Sequence, residues 1–217
     1  MELKSLFKPE RTAVIGVSLN NPLHPANVIY SKNFKEYTTE VHAVSPAADR
    51  SAASFNGITA RIYRQIGDIA GDIDLAVIAV KAARVPWILQ ECGEHGVKGA
   101  VVISGGFAEI GNRELQQQLV EVAIKYDLPF IGPNCLGIYS PPYIDTIFLS
   151  NERIIKPERG NIAFISQSGG FMVDQGMGKL AGEEIGVSGC VSLGNKAFVD
   201  EAHLLEYFES DKSTSAM

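Results

Sequence analysis

The chain reads as an α/β protein: a parallel sheet covered on both faces, followed by a second, smaller α/β unit that looks incomplete. Three observations predict this. Short apolar runs alternate with amphipathic segments from Thr12 to Ile131. Two turns rich in small residues, Gly132-Pro133-Asn134-Cys135-Leu136-Gly137 and Ile165-Ser166-Gln167-Ser168-Gly169-Gly170, sit at or just after apolar runs. Such turns leave backbone amides unpaired, and α/β proteins hold phosphorylated ligands there. Between them, a stretch carrying Pro141, Pro142 and Pro157 breaks the alternation.

In order, Thr12 to Gly16, Val41 to Val44, Leu75 to Val80, Ala100 to Ile103 and Pro129 to Ile131 are apolar runs of strand length. Val85, Ile88, Leu89 and Cys92 share one helical face, as do Leu115, Leu119, Val122 and Tyr126. Residues 1–140 therefore form a first domain, and 141–159 are expected as an irregular connection. Residues 160–217 form the second domain, with strands at Gly160 to Ile165 and Val187 to Leu193 and helices at Phe171 to Ala181 and Ala202 to Phe208. Two strands make a poor sheet, so an unpaired apolar edge and self-association are expected.

The 217 residues are 46% hydrophobic, enough for a sizeable core. A net charge of −6 with 19 scattered basic residues leaves no stripe to neutralise a phosphodiester backbone, so nucleic acid is not an expected partner. No run approaches the roughly 20 apolar residues of a membrane helix, and Met1 to Ser5 lack a signal-peptide core. Cys92, Cys135 and Cys190 are odd in number and far apart, which argues against a disulfide framework or a metal site and for a reducing cytoplasm.

Gly16-Val17-Ser18 follows the first strand, the position of the first phosphate-binding turn in a Rossmann-like fold. Only one of the three fingerprint glycines is present, and the second strand ends in Ser45-Pro46 where a nicotinamide-adenine site wants an acid. That disfavours an NAD(P)-dependent oxidoreductase and leaves either another phosphorylated ligand or a tight turn with none. Asn134 offers an amide for a carbonyl or phosphate oxygen. Cys135 has no His or acid beside it in sequence, which favours an inert wall residue over a nucleophile. Ser166, Ser168 and Gly169 open a helix whose dipole favours an anion, although a serine there is equally a plain N-cap. His203 occupies an exposed-type helix position and is read as a surface residue.

Leu6 to Pro9, Ala13 to Ser18, Asp74 to Val80, Gly132 to Gly137, Ser166 to Gly170 and Ser192 to Ala197 together resemble, in order and spacing, the nucleoside-diphosphate-forming acyl-CoA synthetases. The α subunits of succinyl-CoA synthetase and of ADP-forming acetyl-CoA synthetase belong to that family. The resemblance runs from about Leu6 to Asp211 and implies a Rossmann-like CoA-binding domain followed by a partial flavodoxin-like domain. It places coenzyme A against Gly16, Val17, Ser18 and Pro46, with Val80, Lys81 and Ser104, Gly105, Gly106 and Phe107 closing over it. Asn134 and Cys135 lie at the thioester end, and Ser166, Ser168 and Gly169 hold a phosphoryl group. The family commonly has Pro where this chain has Lys81, and a glycine-containing Lys-Val-Gly where it has His24-Pro25-Ala26-Asn27. Its phosphorylated histidine belongs past Met217, and its nucleotide site belongs to an ATP-grasp domain. The chain is therefore expected to need that partner and to be inactive alone. A non-catalytic acyl-CoA-sensing module is the alternative, since such a role tolerates the loss of the catalytic loop.

Overall fold

The computed structural model describes all 217 residues. Seven strands form the first sheet: β1 Arg11–Ile15, β2 Glu40–Val44, β3 Ala52–Phe55, β4 Ile58–Tyr63, β5 Leu75–Ile78, β6 Gly99–Val102 and β7 Phe130–Ile131. They lie in the order β3-β4-β2-β1-β5-β6-β7, all parallel except the β3–β4 hairpin. The five predicted strands are present, and the hairpin is an addition. Its turn is Asn56-Gly57, with φ of 51° and 75°. Both residues are left-handed, the geometry an Asn-Gly pair supplies cheaply.

Helices α1 Lys4–Phe7, α2 Pro25–Glu36, α3 Val85–Glu94 and α4 Arg113–Tyr126 cover this sheet. Alternation along the strands divides the core. Ala13, Ile15, Ala76, Ile78, Ala100 and Val102 face α3 and α4, whereas Val14, Val77 and Val101 face α2 and the second domain. α2 starts at Pro25, with His24 as its N-cap accepting from the Ala26 amide at 3.3 Å.

The second sheet corrects the two-stranded expectation. β8 Gly137–Ser140, β9 Ile144–Asp145, β10 Arg159–Ser166 and β11 Val187–Ser192 make four strands in the order β10-β11-β8-β9. β8 precedes residue 141 yet pairs antiparallel with β11, and β9 comes from the stretch expected to be irregular. Ile144, Asp145, Thr146 and Ile147 are fully buried, so this stretch is core rather than a loose linker. The outer edge of β10 is met by the last residues of the chain. Ser215 N donates to Asn161 O at 2.8 Å, Ala163 N donates to Ala216 O at 2.9 Å, and Ile162 pairs in parallel with Ala216.

The predicted helix after β10 is a composite: α5 Gly169–Phe171, a π-helical stretch Met172–Met177, and α6 Gly178–Gly182. α7 Glu201–Ser210 follows β11, and its Phe208 lies edge-on to Phe7 of α1 at 5.0 Å. One core of 30 buried residues takes members from both domains, among them Phe7, Val101, Ile138, Ile144, Val191 and Phe208. That shared core fixes the two sheets against each other and sets the cleft between them.

Candidate functional site

The order in which successive parallel strands are added reverses between β1 and β5, the switch point at which open α/β sheets bind ligands beyond the carboxyl ends of their strands. Two depressions meet there, with Val80 lining both. The smaller, about 360 Å³, is lined by Gly16, Val17, Ser18, Pro46 and residues near them. The larger, about 660 Å³, takes Val80, Lys81, Ser104, Gly105, Asn134, Cys135 and Gly169 into one wall system. Eleven of the fifteen singled-out residues thus converge from six segments of chain.

The turn after β1 needs its glycine. Gly16 has φ of 109°, and a Cβ there would lie 2.2 Å from the Ala79 carbonyl oxygen. Its amide and that of Val17 both donate to Val44 O, at 2.9 and 3.1 Å. Asn27 pins the next residue on both sides: Ser18 N donates to its Oδ1 at 2.7 Å, and its Nδ2 donates to Ser18 O at 2.9 Å. The His24-to-Asn27 departure therefore fastens the loop through Asn27. Ser104 Oγ donates to Val80 O at 2.6 Å and accepts from Val80 N at 3.1 Å, locking the ends of β5 and β6 together.

Gly106, Phe107 and the two serines stand apart from the depressions. The Phe107 side chain is fully buried in the core shared with α3 and α4, so only its backbone faces the loop. Ser166 Oγ donates to Ser168 O at 2.9 Å, and Ser168 Oγ accepts from Phe171 N at 3.3 Å, the N-cap arrangement. The amides of Gly169 and Gly170 have no acceptor within the chain, and a Cβ on Gly170 would meet open space. Those amides, more than the serine hydroxyls, are what the loop offers an anion.

Positive charge at the site is carried by residues that form no ion pair, and Asp49 on the wall of the smaller depression adds one carboxylate. Lys81 and Arg84 line the depressions and take part in no ion pair. Burial lowers the pKa of His24 on the rim of the larger depression, favouring neutral imidazole. Cys135 is buried, its Sγ donates to Val102 O at 3.3 Å, and burial pushes its thiol up to about 12. It lines the wall of the larger depression with its thiol held in the protonated form. His203 lines a separate depression with Met1, Glu2 and Tyr207, and its Nδ1 lies 2.6 Å from Asp200 Oδ1 in a capping box. The sequence reading missed Arg84, Asp49, Leu136, Phe148 and Gly170 as lining residues. Only Gly170 carried a signal, as the second glycine of its turn.

Two family profiles match the chain: a CoA-binding domain over residues 10–141 and a succinyl-CoA ligase-like flavodoxin domain over residues 159–217. The chain belongs to the CoA-binding domain family. The α subunit of acetate–CoA ligase (ADP-forming) I from Pyrococcus furiosus is 38% identical over 222 residues, which span 100% of this chain and 46% of that subunit. The ADP-forming acetate–CoA ligase of Methanocaldococcus jannaschii is 39% identical across 98% of this chain and 29% of its own length. Among solved structures, acetyl-CoA synthetase 1 of Candidatus Korarchaeum cryptofilum, in complex with phosphate and ADP, superposes with a TM-score of 0.85 at 35% identity. That match covers 99% of this chain and 44% of the other. The chain thus spans half or less of the length of these relatives. No helix is long and apolar enough to cross a membrane.

Proposed function

We propose that this chain is the CoA-binding α portion of an ADP-forming acyl-CoA synthetase, contributing to acyl-CoA + phosphate + ADP ⇌ acid + CoA + ATP. The observation that carries this reading is the pair of depressions joined at Val80, with the glycine-dependent turn at Gly16 at one end and the free amides of Gly169 and Gly170 at the other. An elongated ligand with phosphates at one end and a thioester at the other suits such a cleft. The residues present fit coenzyme A: an open backbone turn, the unpaired cations Arg84 and Lys81, and apolar walls from Ile103, Leu136 and Phe148.

In this reading, Gly16, Val17, Ser18 and Pro46 receive the nucleotide end, and Arg84 and Lys81 neutralise phosphates without having to break an existing ion pair. Val80, Ser104 and Gly105 hold the pantetheine arm against the sheet. CoA, when bound, supplies the thiol that accepts the acyl group. Asn134 Nδ2 can donate to a thioester or acyl-phosphate oxygen, and the amides of Gly169 and Gly170, capped by Ser168, hold the phosphoryl group in a fixed electrostatic frame. Nucleotide chemistry and the phosphorylated histidine are assigned to an ATP-grasp partner and to further chain outside these 217 residues. Self-association is part of the same reading, but not through the Asn161-to-Ala163 edge of β10, which Ser215 and Ala216 already meet. Three buried free thiols fit a reducing cytoplasm.

Calorimetric titration with CoA, acetyl-CoA and NAD tests the assignment. CoA binds and NAD does not; measurable NAD affinity with none for CoA sinks it. Crystals soaked in phosphate carry an anion within about 2.7 to 3.2 Å of the Gly169 and Gly170 amides.

A further inference from the structure

The loop Ser104 to Phe107 has no regular structure of its own, yet it forms part of the wall over the thioester end of the cleft. What holds it is a carboxylate from the turn that follows. Glu109 accepts from the amide of Gly106, and from the amide of Phe107 with both oxygens at 3.1 Å. Asn195, from the turn after β11, donates its Nδ2 to Glu109 Oε2 at 2.5 Å and to Gln116 Oε1 of α4 at 2.9 Å. Burial alone would raise the Glu109 pKa, but donors from Gly106, Asn195 and Phe107 outweigh it and hold the carboxyl below its ordinary value.

The same turn reaches the other end of the cleft. Gly194 N donates to Gln167 O at 3.1 Å, and Gln167 Nε2 donates back to Gly194 O at 2.8 Å. Asn195 N donates to Pro133 O at 2.9 Å, and Asn134 Nδ2 donates to Asn195 Oδ1 at 3.4 Å. Gly194 is required there: its φ is 58°, and a Cβ would lie 2.3 Å from the Asn134 carbonyl oxygen.

We propose that Glu109 and Asn195 are positioning residues: Asn195 clamps Glu109, Glu109 sets the Ser104-to-Phe107 loop, and the Gly194-Asn195 turn ties that loop to the Gln167-to-Gly170 loop of the second domain. The proposal rests on the CoA reading for its functional consequence, but not for the clamp itself. Neither residue touches the reacting atoms; each acts through the backbone it holds. The two loops are thereby held as one unit.

The test uses the intact 217-residue chain and two readouts. Amide hydrogen exchange at Gly106 and Phe107 is followed by NMR in the free protein, and CoA affinity is measured by calorimetry. Losing charge-assisted bonds to two loop amides weakens CoA binding about tenfold in Glu109→Ala, and losing the clamp weakens it about threefold in Asn195→Ala. Exchange at both amides rises about tenfold or more in either variant. The double variant binds no more weakly than Glu109→Ala, the non-additivity expected when one residue acts through the other. Glu114→Ala, which removes an exposed charge from the nearby helix α4, changes neither readout. Unchanged exchange at both amides in Asn195→Ala overturns the proposal, as do losses that add in the double variant. If the unsubstituted chain takes up no CoA, the functional reading falls, and exchange alone decides the clamp.

Discussion

Asp145→Asn tests how the two domains are held in register. Asp145 is fully buried on β9, and its Oδ2 accepts from Lys32 Nζ at 2.9 Å, Lys156 Nζ at 2.6 Å and the Tyr37 hydroxyl at 3.3 Å. Its Oδ1 accepts from Ile147 N at 2.9 Å. Lys32 lies on α2 of the first domain with its side chain 6% exposed, so the cluster fastens the helix that begins at the cleft to the second sheet. Burial opposes the charge on both partners. For Asp145 the two ammonium groups outweigh burial and hold the carboxyl below its ordinary value, whereas for Lys32 burial wins, because Lys156 shares the same carboxylate.

The substitution keeps the volume and deletes the charge. Lys156 retains Asn151 Oδ1 at 2.6 Å and a path to solvent, whereas buried Lys32 keeps the Ile147 and Leu149 carbonyls but no counter-charge, so its uncompensated charge sets the cost. Breaking a buried pair from one side costs about 3 to 5 kcal/mol, a fall in Tm on the order of 10 °C for a chain of this size. Lys156→Met leaves the Lys32–Asp145 pair intact and costs about 1 kcal/mol or less. Because the folded carboxyl pKa lies below the unfolded value of about 3.9, its contribution is fully present above that pH and is lost as pH falls through the folded value. The stability gap between wild type and Asp145→Asn therefore narrows in acid. Urea unfolding followed by circular dichroism between pH 3 and 7 reads all three quantities. A loss under about 1 kcal/mol for Asp145→Asn, or an equal loss for Lys156→Met, would refute this account of the cluster.

Gly16→Ala forces a Cβ to 2.2 Å from the Ala79 carbonyl at φ 109°, so stability falls by about 1 to 3 kcal/mol and CoA affinity with it; wild-type affinity in a stable variant would show that the turn does not approach the ligand. Cys135 and Cys190, both pushed up to about 12, stay unmodified by a thiol reagent at pH 8 until the chain unfolds. Rapid stoichiometric labelling of Cys135 would restore it as a nucleophile. Ser168→Ala removes the bond to Phe171 N and costs about 1 kcal/mol, a loss to be read from thermal unfolding with and without phosphate. Incubation with acetyl phosphate leaves no acid-labile phosphate on His203, which is held in a capping box away from the cleft; its stoichiometric phosphorylation would reverse that placement.

Most of the architecture was legible because local chemistry decides it. Fully buried parallel strands need uninterrupted apolar runs, and Leu75 to Ile78 and Gly99 to Val102 are buried throughout. Gly16 and Gly132 announced their turns because only glycine adopts φ near +100° beside a neighbouring carbonyl. The Asn56-Gly57 hairpin was equally local and was passed over because its flanking strands alternate apolar and polar residues instead of running apolar. β8 and β9 could not be read in the same way. They are four and two residues long and flank a Pro-Pro pair, and burial against distant strands, not propensity, makes them strands. The two clusters that set the cleft join residues 86 positions apart, Glu109 with Asn195, and 113 apart, Lys32 with Asp145. No spacing rule connects such pairs. A charged side chain in the sequence shows what it can bond, but whether a carboxylate meets water, two amides or two buried ammonium groups depends on which surfaces the finished core brings together.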